Sequence, residues 1–373
     1  MRKIPTSAPV IGRQEIESAL ASLEAAEISG LSGTRIPEFE SLFSNYCGAS
    51  YGVAVSSGTS ALHLAVNALN LNPNDEVLVA SLTNMATFFA VLYQGAKPVP
   101  IDVEPETGNL DPALLELSLT DRTVGVIVVH LFGHPVDMEP VIAFCEAHGL
   151  WLIEDAAEAH GAEYNGTKVG TFGNVSCFSF FANKIITTGE GGMLVTNQEK
   201  LANHAKQFRS LAFGSVDRFQ HAGLGFNYRM TNLQAAVGVA QMTRIDENIR
   251  LKRDIASRYS ANLTGMEGLR LPIERSNVKS VYWMYHVVLE NEWEGQRERV
   301  RAFLRDEGIE TRESFTPYDQ QDFFIDSGAV RRGVCPIAGR IGANGFYIPS
   351  GPQLDHDEID FVSDRIRVAL DAH

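Results

Sequence analysis

Cysteine is scarce in this sequence. Only four cysteines occur in 373 residues, and they are widely separated, at Cys47, Cys145, Cys177 and Cys335. The spacing contains no close pair of the kind that binds zinc and no dense pattern of the kind that forms a disulfide framework. We therefore expect no metal site, and we expect reduced thiols, as in a cytoplasmic protein.

Positive charge and long apolar runs are also scarce. Lysine and arginine number 31 against 46 aspartates and glutamates, for a net charge of −15, which argues against nucleic acid or an anionic membrane as a partner. No run of about 18 apolar residues predicts a membrane-spanning helix. The first seven residues lack the apolar core of a signal peptide. Together these absences predict a cytoplasmic protein with no nucleic-acid or membrane partner.

The apolar pattern predicts two α/β units. Residues 50 to about 240 alternate between strand and helix, which is typical of a mainly parallel sheet with helices on both faces. One long helix is expected from Leu233 to Leu263, and one strand of the smaller unit from Ser280 to Leu289. The expected division is an N-terminal segment that packs with the small domain, a large domain and a small C-terminal domain, over residues 1–30, 31–245 and 246–373.

Lys184 is the most informative residue. It follows a predicted buried strand, 175–181, and precedes a glycine-rich turn and a second strand, 193–196. A lysine at a strand end lies at the edge of the sheet, where α/β enzymes have their active sites. There the amine can lose solvent, its pKa can fall, and it can attack a carbonyl carbon. For a lysine with no other support, a solvated loop position is the commoner interpretation.

A small-residue turn upstream predicts an anion site. An apolar strand runs into Ser56–Ser60, and the next residues have the i, i+3, i+4, i+7 apolar spacing of a helix. Ser57, Gly58 and Thr59 would then present N–H groups and hydroxyls at a helix N-terminus, which favours phosphate. An ordinary N-cap explains the same residues equally well.

Asp155 ends a third apolar strand, 151–154. A carboxylate there can hold a positive charge such as a protonated pyridine nitrogen, although an N-cap role is the alternative. A phosphate site, a carboxylate and a lysine amine match the three groups by which pyridoxal 5'-phosphate is held. These features together predict a pyridoxal phosphate enzyme.

Longer motifs resemble the DegT/DnrJ/EryC1/StrS family of sugar aminotransferases. The resemblance covers nearly the whole chain and implies the α/β fold of a fold-type I pyridoxal phosphate-dependent aminotransferase. In that fold the large domain has a mainly parallel seven-stranded sheet, and a smaller C-terminal α/β domain follows. The motifs lie at residues 57–62, 154–161, 170–173, 178–184, 188–192 and 225–236.

The resemblance also implies roles for single residues. Lys184 is expected to bind the cofactor aldehyde and to move a proton, and Asp155 to pair with the pyridine nitrogen. Glu158 is expected near the phenol oxygen of the ring. The residues expected to hold the phosphate are Ser57, Gly58, Thr59, Ser179 and, from the neighbouring subunit of a homodimer with composite active sites, Asn227.

One position departs from the family pattern. Relatives usually carry an aromatic residue that stacks on the cofactor ring where this chain has Asn84, and an amide cannot stack like an aromatic ring. Either the amide plane of Asn84 lies on the ring or another side chain, such as Met85, covers it.

Within the family, residues 130–135, 219–221 and 311–317 resemble the GDP-perosamine synthases. The resemblance implies amination of a nucleotide-linked 4-keto-6-deoxy sugar with L-glutamate as donor. The loop 28–35 lacks the tryptophan common in those enzymes, so the base, the sugar and the position of the keto group stay open. The residues expected to contact substrate are His221, Arg229, Phe315 and Tyr318.

Two other functional classes stay open. One branch of the family has histidine in place of the reactive lysine and is a sugar dehydratase; the presence of Lys184 favours transamination, and His160 is expected to be a pocket or core residue. The other class is a non-catalytic pyridoxal-binding regulator, for which an appended DNA-binding segment would be the distinguishing feature, and this sequence has none.

Overall fold

The computed structural model describes residues 3–214, 217, 219–331 and 333–371, so the outermost residues of the expected first and last segments fall outside it. In chain order, the strands are β1 (Tyr51–Val55), β2 (Glu76–Ala80), β3 (Lys97–Ile101), β4 (Thr123–Val129), β5 (Trp151–Asp155), β6 (Glu163–Tyr164), β7 (Thr167–Lys168), β8 (Val175–Ser179), β9 (Gly192–Thr196), β10 (Leu269–Arg270), β11 (Val278–Lys279), β12 (Tyr285–Leu289), β13 (Arg312–Glu313) and β14 (Gly345–Ile348).

Helices alternate with these strands. In chain order, they are α1 (Arg13–Glu24), α2 (Arg35–Cys47), α3 (Gly58–Ala68), α4 (Ala86–Leu92), α5 (Leu115–Ser118), α6 (Met138–His148), α7 (Glu199–Phe208), α8 (Asn232–Met242), α9 (Ile245–Leu263), α10 (Arg297–Asp306), α11 (Asp322–Ser327), α12 (Pro336–Asn344) and α13 (His356–Asp371), with short 3₁₀ turns at Pro112–Leu114, Leu131–Gly133, Asn291–Trp293 and Tyr318–Gln320. None of the described helices combines the length and apolar character that a bilayer-spanning segment requires.

The large sheet has seven strands in the order β1-β9-β8-β5-β4-β2-β3. Only β9 runs antiparallel to its neighbours β1 and β8, and the other pairs are parallel. The predicted mainly parallel seven-stranded sheet is therefore confirmed. Its strands are almost continuously apolar because helices cover both faces. The carboxyl ends of β5 and β8 and the turn after β1 meet at one edge, which brings Asp155, Ser179 and the start of α3 together.

A second core forms around a four-stranded sheet, β10-β12-β14-β13. Helix α9 contributes to both cores, with Ile245 and Ile249 in the larger one and Ile255 and Tyr259 in the smaller one. We propose a large domain over 31–245 and a small one over 246–373, with the change from one core to the other inside α9, after Ile249.

The N-terminal segment contacts both units and not the smaller one alone. Ile4 belongs to the smaller core and its backbone pairs with Ile309. Helix α1, in contrast, packs on α8 of the large unit, where the Ser18 hydroxyl donates to the Ala236 carbonyl at 2.7 Å. A buried polar contact also fixes α1, because Gln241 donates to Glu15 at 2.7 Å.

Two expected elements are shorter than predicted. The expected helix from Leu233 to Leu263 is broken between α8 and α9, where the Thr243 hydroxyl bonds back to the Ala240 carbonyl at 2.7 Å, a contact that competes with helix propagation. The expected strand from Ser280 is formed only from Tyr285 onward. Its first residues cross to the large unit instead, and Tyr282 there has a left-handed φ of 45°.

Helices α2 and α8 pack at a glycine, and this contact yields a stability prediction. Alanine in place of glycine usually stabilises a helix by about 1 kcal/mol. At Gly238, however, an added Cβ would lie 2.7 Å from Cζ of Phe39, and overpacking costs about 1–3 kcal/mol. The net cost is about 0–2 kcal/mol, so we expect Gly238→Ala to lower the apparent Tm by up to about 4 °C.

The matched control is Gly339→Ala in α12, where the nearest atom to the added Cβ is Nε2 of Gln320 at 3.6 Å. This change should leave the Tm unaltered or raise it. Thermal unfolding of the two variants side by side tests the packing, and an increase in Tm for Gly238→Ala would contradict it.

Candidate active site

A cavity of about 300 Å³ opens at the edge of the large sheet where β5 and β8 end. Side chains from both units surround it. Its lining comprises Ser57, Gly58, Thr59, Leu62, Thr83, Asn84, Ala86, Val129, Asp155, Ala157, Glu158, Ser179, Phe181, Asn183, Lys184, Glu190, Trp283, Phe315 and Tyr347.

The start of α3 forms one end of this cavity. Ser57 is the N-cap, because its hydroxyl accepts from the Ser60 N–H at 3.1 Å. Since Ser57 also lines the cavity, its roles as N-cap and as part of an anion site are compatible. A Cβ added to Gly58 would lie 2.8 Å from Cβ of Ser179. Glycine thus lets the end of β8 approach the helix N-terminus, and hydroxyls converge where the helix dipole favours an anion.

Asp155 is a buried carboxylate at the end of β5. Its Oδ2 accepts from the Thr87 hydroxyl at 2.8 Å and its Oδ1 from the Ala157 N–H at 3.2 Å. Burial raises the pKa of Asp155, while these hydrogen bonds and the charge of Lys184 oppose the rise. A cation placed against the carboxylate would favour its charged form, which suits a protonated ring nitrogen.

Lys184 lies in the same cavity with two neighbours at its amine. Nζ is 3.8 Å from Oε1 of Glu158 and 3.8 Å from the centroid of the Trp283 ring. Burial lowers the pKa of Lys184, and the carboxylates of Glu158 and Asp155 oppose that effect. The amine is therefore positioned and desolvated as a nucleophile requires.

Glu158 is held by the backbone. Its Oε2 accepts from the Phe132 N–H at 2.8 Å, and burial raises the pKa of Glu158 to about 7, with Lys184 and this hydrogen bond opposing the rise. Phe132 has a left-handed φ of 54°, a conformation that costs energy outside glycine. The strained turn is thus the means by which the N–H is aimed at the carboxylate.

Asn84, and not Met85, is among the residues that line the cavity. The Asn84 side chain also accepts from the Ala86 N–H at 3.0 Å, which orients its amide at the start of α4. Of the two alternatives for covering a cofactor ring, the geometry favours the amide of Asn84.

Sequence reasoning missed Thr87 and Trp283. Thr87 lies four residues after Thr83, and this spacing of two threonines was the only signal in the sequence that their side chains are neighbours. In the structure their hydroxyls are 3.1 Å apart. Trp283 lay inside the segment predicted as strand and carried no local signal. Its contact with Lys184 joins residues 99 positions apart, which only the folded chain can show.

Three predicted residues lie outside this chain's cavity lining, on the segment before α8. Asn227 is exposed and its backbone pairs with Ser210. The His221 ring is bonded through Nδ1 to the Leu211 carbonyl at 2.6 Å. Arg229 donates to the Ser210 hydroxyl at 3.2 Å.

Tyr318 requires a correction. Its ring is buried and stacks on Phe88, with centroids 5.8 Å apart, and its hydroxyl donates to the Gly333 carbonyl at 2.7 Å. The 3₁₀ turn at its position directs the ring into the core, while Phe315 faces the cavity. Tyr318 is therefore a core residue of the structure and not a substrate contact.

His160 is also a core residue. It is fully buried against the rings of Phe43, Phe178 and Phe180, and burial lowers its pKa to about 3. A neutral imidazole outside the cavity lining is not placed to act as a base on a substrate there.

Comparison with known proteins agrees with this geometry. The model of the DegT/DnrJ/EryC1/StrS aminotransferase family matches residues 9–367. The chain is 37% identical over 366 residues to the GDP-perosamine synthase of Escherichia coli O157:H7, covering 98% of each chain. It is 39% identical over 371 residues to that of Caulobacter vibrioides, covering 99% of this chain and 98% of the other.

The chain belongs to the DegT/DnrJ/EryC1/StrS aminotransferase family. The aminotransferase TlmJ from Streptoalloteichus hindustanus has the same fold, with a TM-score of 0.92, 29% identity and full coverage of both chains. The predicted family, fold class and pyridoxal phosphate-dependent transaminase activity are therefore confirmed.

The contact between Thr87 and Asp155 yields a cofactor-binding prediction. The Thr87 hydroxyl lowers the pKa of Asp155 and so favours its charged form. A hydrogen bond to a charged group contributes at most about 1.5–3 kcal/mol, so Thr87→Val should weaken pyridoxal phosphate binding by up to about a hundredfold. Thr87→Ser keeps the hydroxyl and should bind nearly as the parent does. Equilibrium titration of both variants with the cofactor measures the effect, and equal Kd values for the valine and serine variants would contradict the role of the hydroxyl.

Proposed function

We propose that this enzyme transfers the amino group of L-glutamate to C4 of a GDP-linked 4-keto-6-deoxyhexose. The products would be 2-oxoglutarate and the 4-amino sugar nucleotide. The observation that carries the proposal is the similarity, over nearly the full length, to two GDP-perosamine synthases. Because all four cysteines are buried free thiols, we place this chemistry in the cytoplasm.

The cavity contains a suitable partner for the aldehyde, the ring nitrogen and the phosphate of the cofactor. Pyridoxal phosphate, when bound, supplies an aldehyde that takes up the amino group and a ring that withdraws electrons. We propose that Asp155 keeps a proton on the ring nitrogen, since its buried carboxylate lacks a full counter-charge. The phosphate would be held by Ser57, Gly58, Thr59 and Ser179.

Lys184 is proposed as the catalytic base and as the covalent anchor. Burial lowers the pKa of its Nζ, which favours the nucleophilic, neutral amine. Glu158 faces the same atom at 3.8 Å and its pKa, raised to about 7, lets it hold or release a proton near the ring. In the first half of the reaction Lys184 would take the proton from the amino-bearing carbon of glutamate. In the second half, after 2-oxoglutarate has left, it would supply a proton to C4 of the sugar.

The rim of the cavity suits a substrate larger than an amino acid. Phe315 lines the opening and stacks on Phe132 with centroids 5.8 Å apart and planes 3° apart, and Phe181 is half exposed beside it. Aromatic faces of this kind can pack on a sugar or a base. Binding energy from the distant nucleotide would then orient the keto carbon at the reacting atoms.

We further propose a homodimer with composite active sites. Asn227, His221 and Arg229 are absent from the cavity of their own chain, and the exposed segment that carries them also exposes Phe219 and Leu224, at 78% and 86%. Exposed large apolar residues mark interaction surfaces. In a symmetric pair, this segment would bring Asn227 to the phosphate and His221 and Arg229 to the substrate of the neighbouring subunit.

The function is tested by comparing sugar nucleotides under identical conditions. With [¹⁵N]glutamate and a GDP-linked 4-keto-6-deoxyhexose, we expect a product that carries ¹⁵N at C4. The free keto sugar should react at least about a hundredfold more slowly, since each 1.4 kcal/mol of lost anchoring costs tenfold. Preference for a dTDP-linked sugar or amination at another carbon would overturn the choice of substrate, and loss of water without ¹⁵N transfer would indicate a dehydratase.

The composite site yields a complementation prediction. Lys184→Ala and Asn227→Ala subunits should each be poorly active alone. Mixed and re-equilibrated, they should recover activity, because a heterodimer would contain one site with both residues intact. The control is a mixture of Lys184→Ala with Asp155→Ala, two residues of the same cavity, which should restore nothing. If the first mixture shows no gain over its parents, Asn227 does not serve a neighbouring site.

A further inference from the structure

Helix α9 presents two buried polar side chains one turn apart. Asn248 and Lys252 are each only 2% exposed, and their i, i+4 spacing places them on one face of the helix. Neither is among the residues that line the active-site cavity. Buried lysine is rare in proteins because the charged amine loses its hydration, so its presence here calls for a physical explanation.

The first of the two side chains reaches the segment of Lys184 directly. Nδ2 of Asn248 donates to the carbonyl of Ile185 at 2.9 Å, the residue that follows Lys184 in the chain. This contact fixes the position of α9 relative to the reactive lysine.

Lys252 binds two backbone carbonyls. Its Nζ donates to the carbonyl of Trp283 at 2.6 Å and to that of Ser350 at 2.7 Å. Burial lowers the pKa of Lys252 to about 7. These two bonds hold the backbone at Trp283 against the smaller unit, where the chain crosses between the two cores.

Trp283 in turn contacts Lys184 and the residue before it, Asn183. Its indole N–H donates to the carbonyl of Asn183 at 2.8 Å, and its ring face lies 3.8 Å from Nζ of Lys184. An aromatic face attracts a cation, most strongly when water is excluded. The ring therefore supports the protonated form of Nζ together with the carboxylates of Glu158 and Asp155, which are the charged groups that face it.

We propose that Lys252 is a positioning residue: by holding the backbone of Trp283, it keeps the indole ring on Nζ of Lys184 and so sets the proton affinity of that nitrogen. The inference rests on the proposed role of Lys184 as the cofactor-binding lysine. Helix α9, which lies outside the cavity, would thus influence the protonation of Lys184 through Trp283.

The test uses the holoenzyme and follows the visible absorbance of the bound cofactor as a function of pH. In Lys252→Met, the ring is no longer held and the cation at Nζ loses its aromatic neighbour, so the midpoint of the titration should move to lower pH by about one pH unit. Trp283→Leu should produce a similar shift. The double variant should shift no further than Trp283→Leu alone, because the two residues act in series.

The matched control is Ile255→Ala, a buried position three residues further along α9 in the smaller core. It should lower the Tm by leaving a cavity without moving the midpoint. If Lys252→Met does not fold, Lys252→Gln, whose amide can still donate to one carbonyl, should give a smaller shift in the same direction.

Three results separate the possibilities. A Lys252 variant that loses stability but keeps the parent midpoint would overturn the inference, as would additive shifts in the double variant. In Lys184→Ala the pH-dependent absorbance should disappear. If it persists there, the proposed role of Lys184 itself is wrong, whatever the Lys252 variants show.

Discussion

The burial of one amine is the constraint on which the rest of this structure depends. Nζ of Lys184 has lost most of its water, and this desolvation lowers its pKa and favours the neutral form. Three neighbours counter that loss, two carboxylates and one aromatic ring. The balance leaves a nitrogen that can gain or lose a proton during the reaction, which is the property that an aminotransferase lysine needs.

Each of these neighbours is fixed by its surroundings. Asp155 ends a central strand, Glu158 is held by the N–H of the strained residue Phe132, and Trp283 is held at its carbonyl by Lys252. Strain in a turn and burial of a second lysine both cost stability. Burial of the large hydrophobic core around the seven-stranded sheet offsets these costs, so the folded protein tolerates the strained turn and the buried lysine.

The sequence predicted the parts of the site that depend on local pattern. Lys184, Asp155 and the Ser57–Thr59 turn each follow an apolar strand, and the carboxyl ends of parallel strands meet at one edge, so their convergence could be anticipated. Helix α6 likewise ends at a left-handed glycine, Gly149, which is a local signal of a helix end.

The remaining parts depend on contacts between distant residues. Nothing in the residues next to Trp283 or Lys252 indicates their roles. Tyr318 is of a residue type common in binding sites, although its ring packs into the core. The break between α8 and α9 is local, but it lies in the hydroxyl of Thr243 bonding back to Ala240 and not in the spacing of apolar residues. Side chains that work through the backbone of another residue, such as Lys252, can be recognised only once the chain is folded.

If one cavity holds the cofactor at three points, the electron density of crystals grown with pyridoxal phosphate will show all three. We expect continuous density from Nζ of Lys184 to the cofactor, the ring nitrogen beside Asp155, and the phosphate at the start of α3 next to Ser179. Density that joins the cofactor to another lysine, or a phosphate bound away from α3, would contradict it.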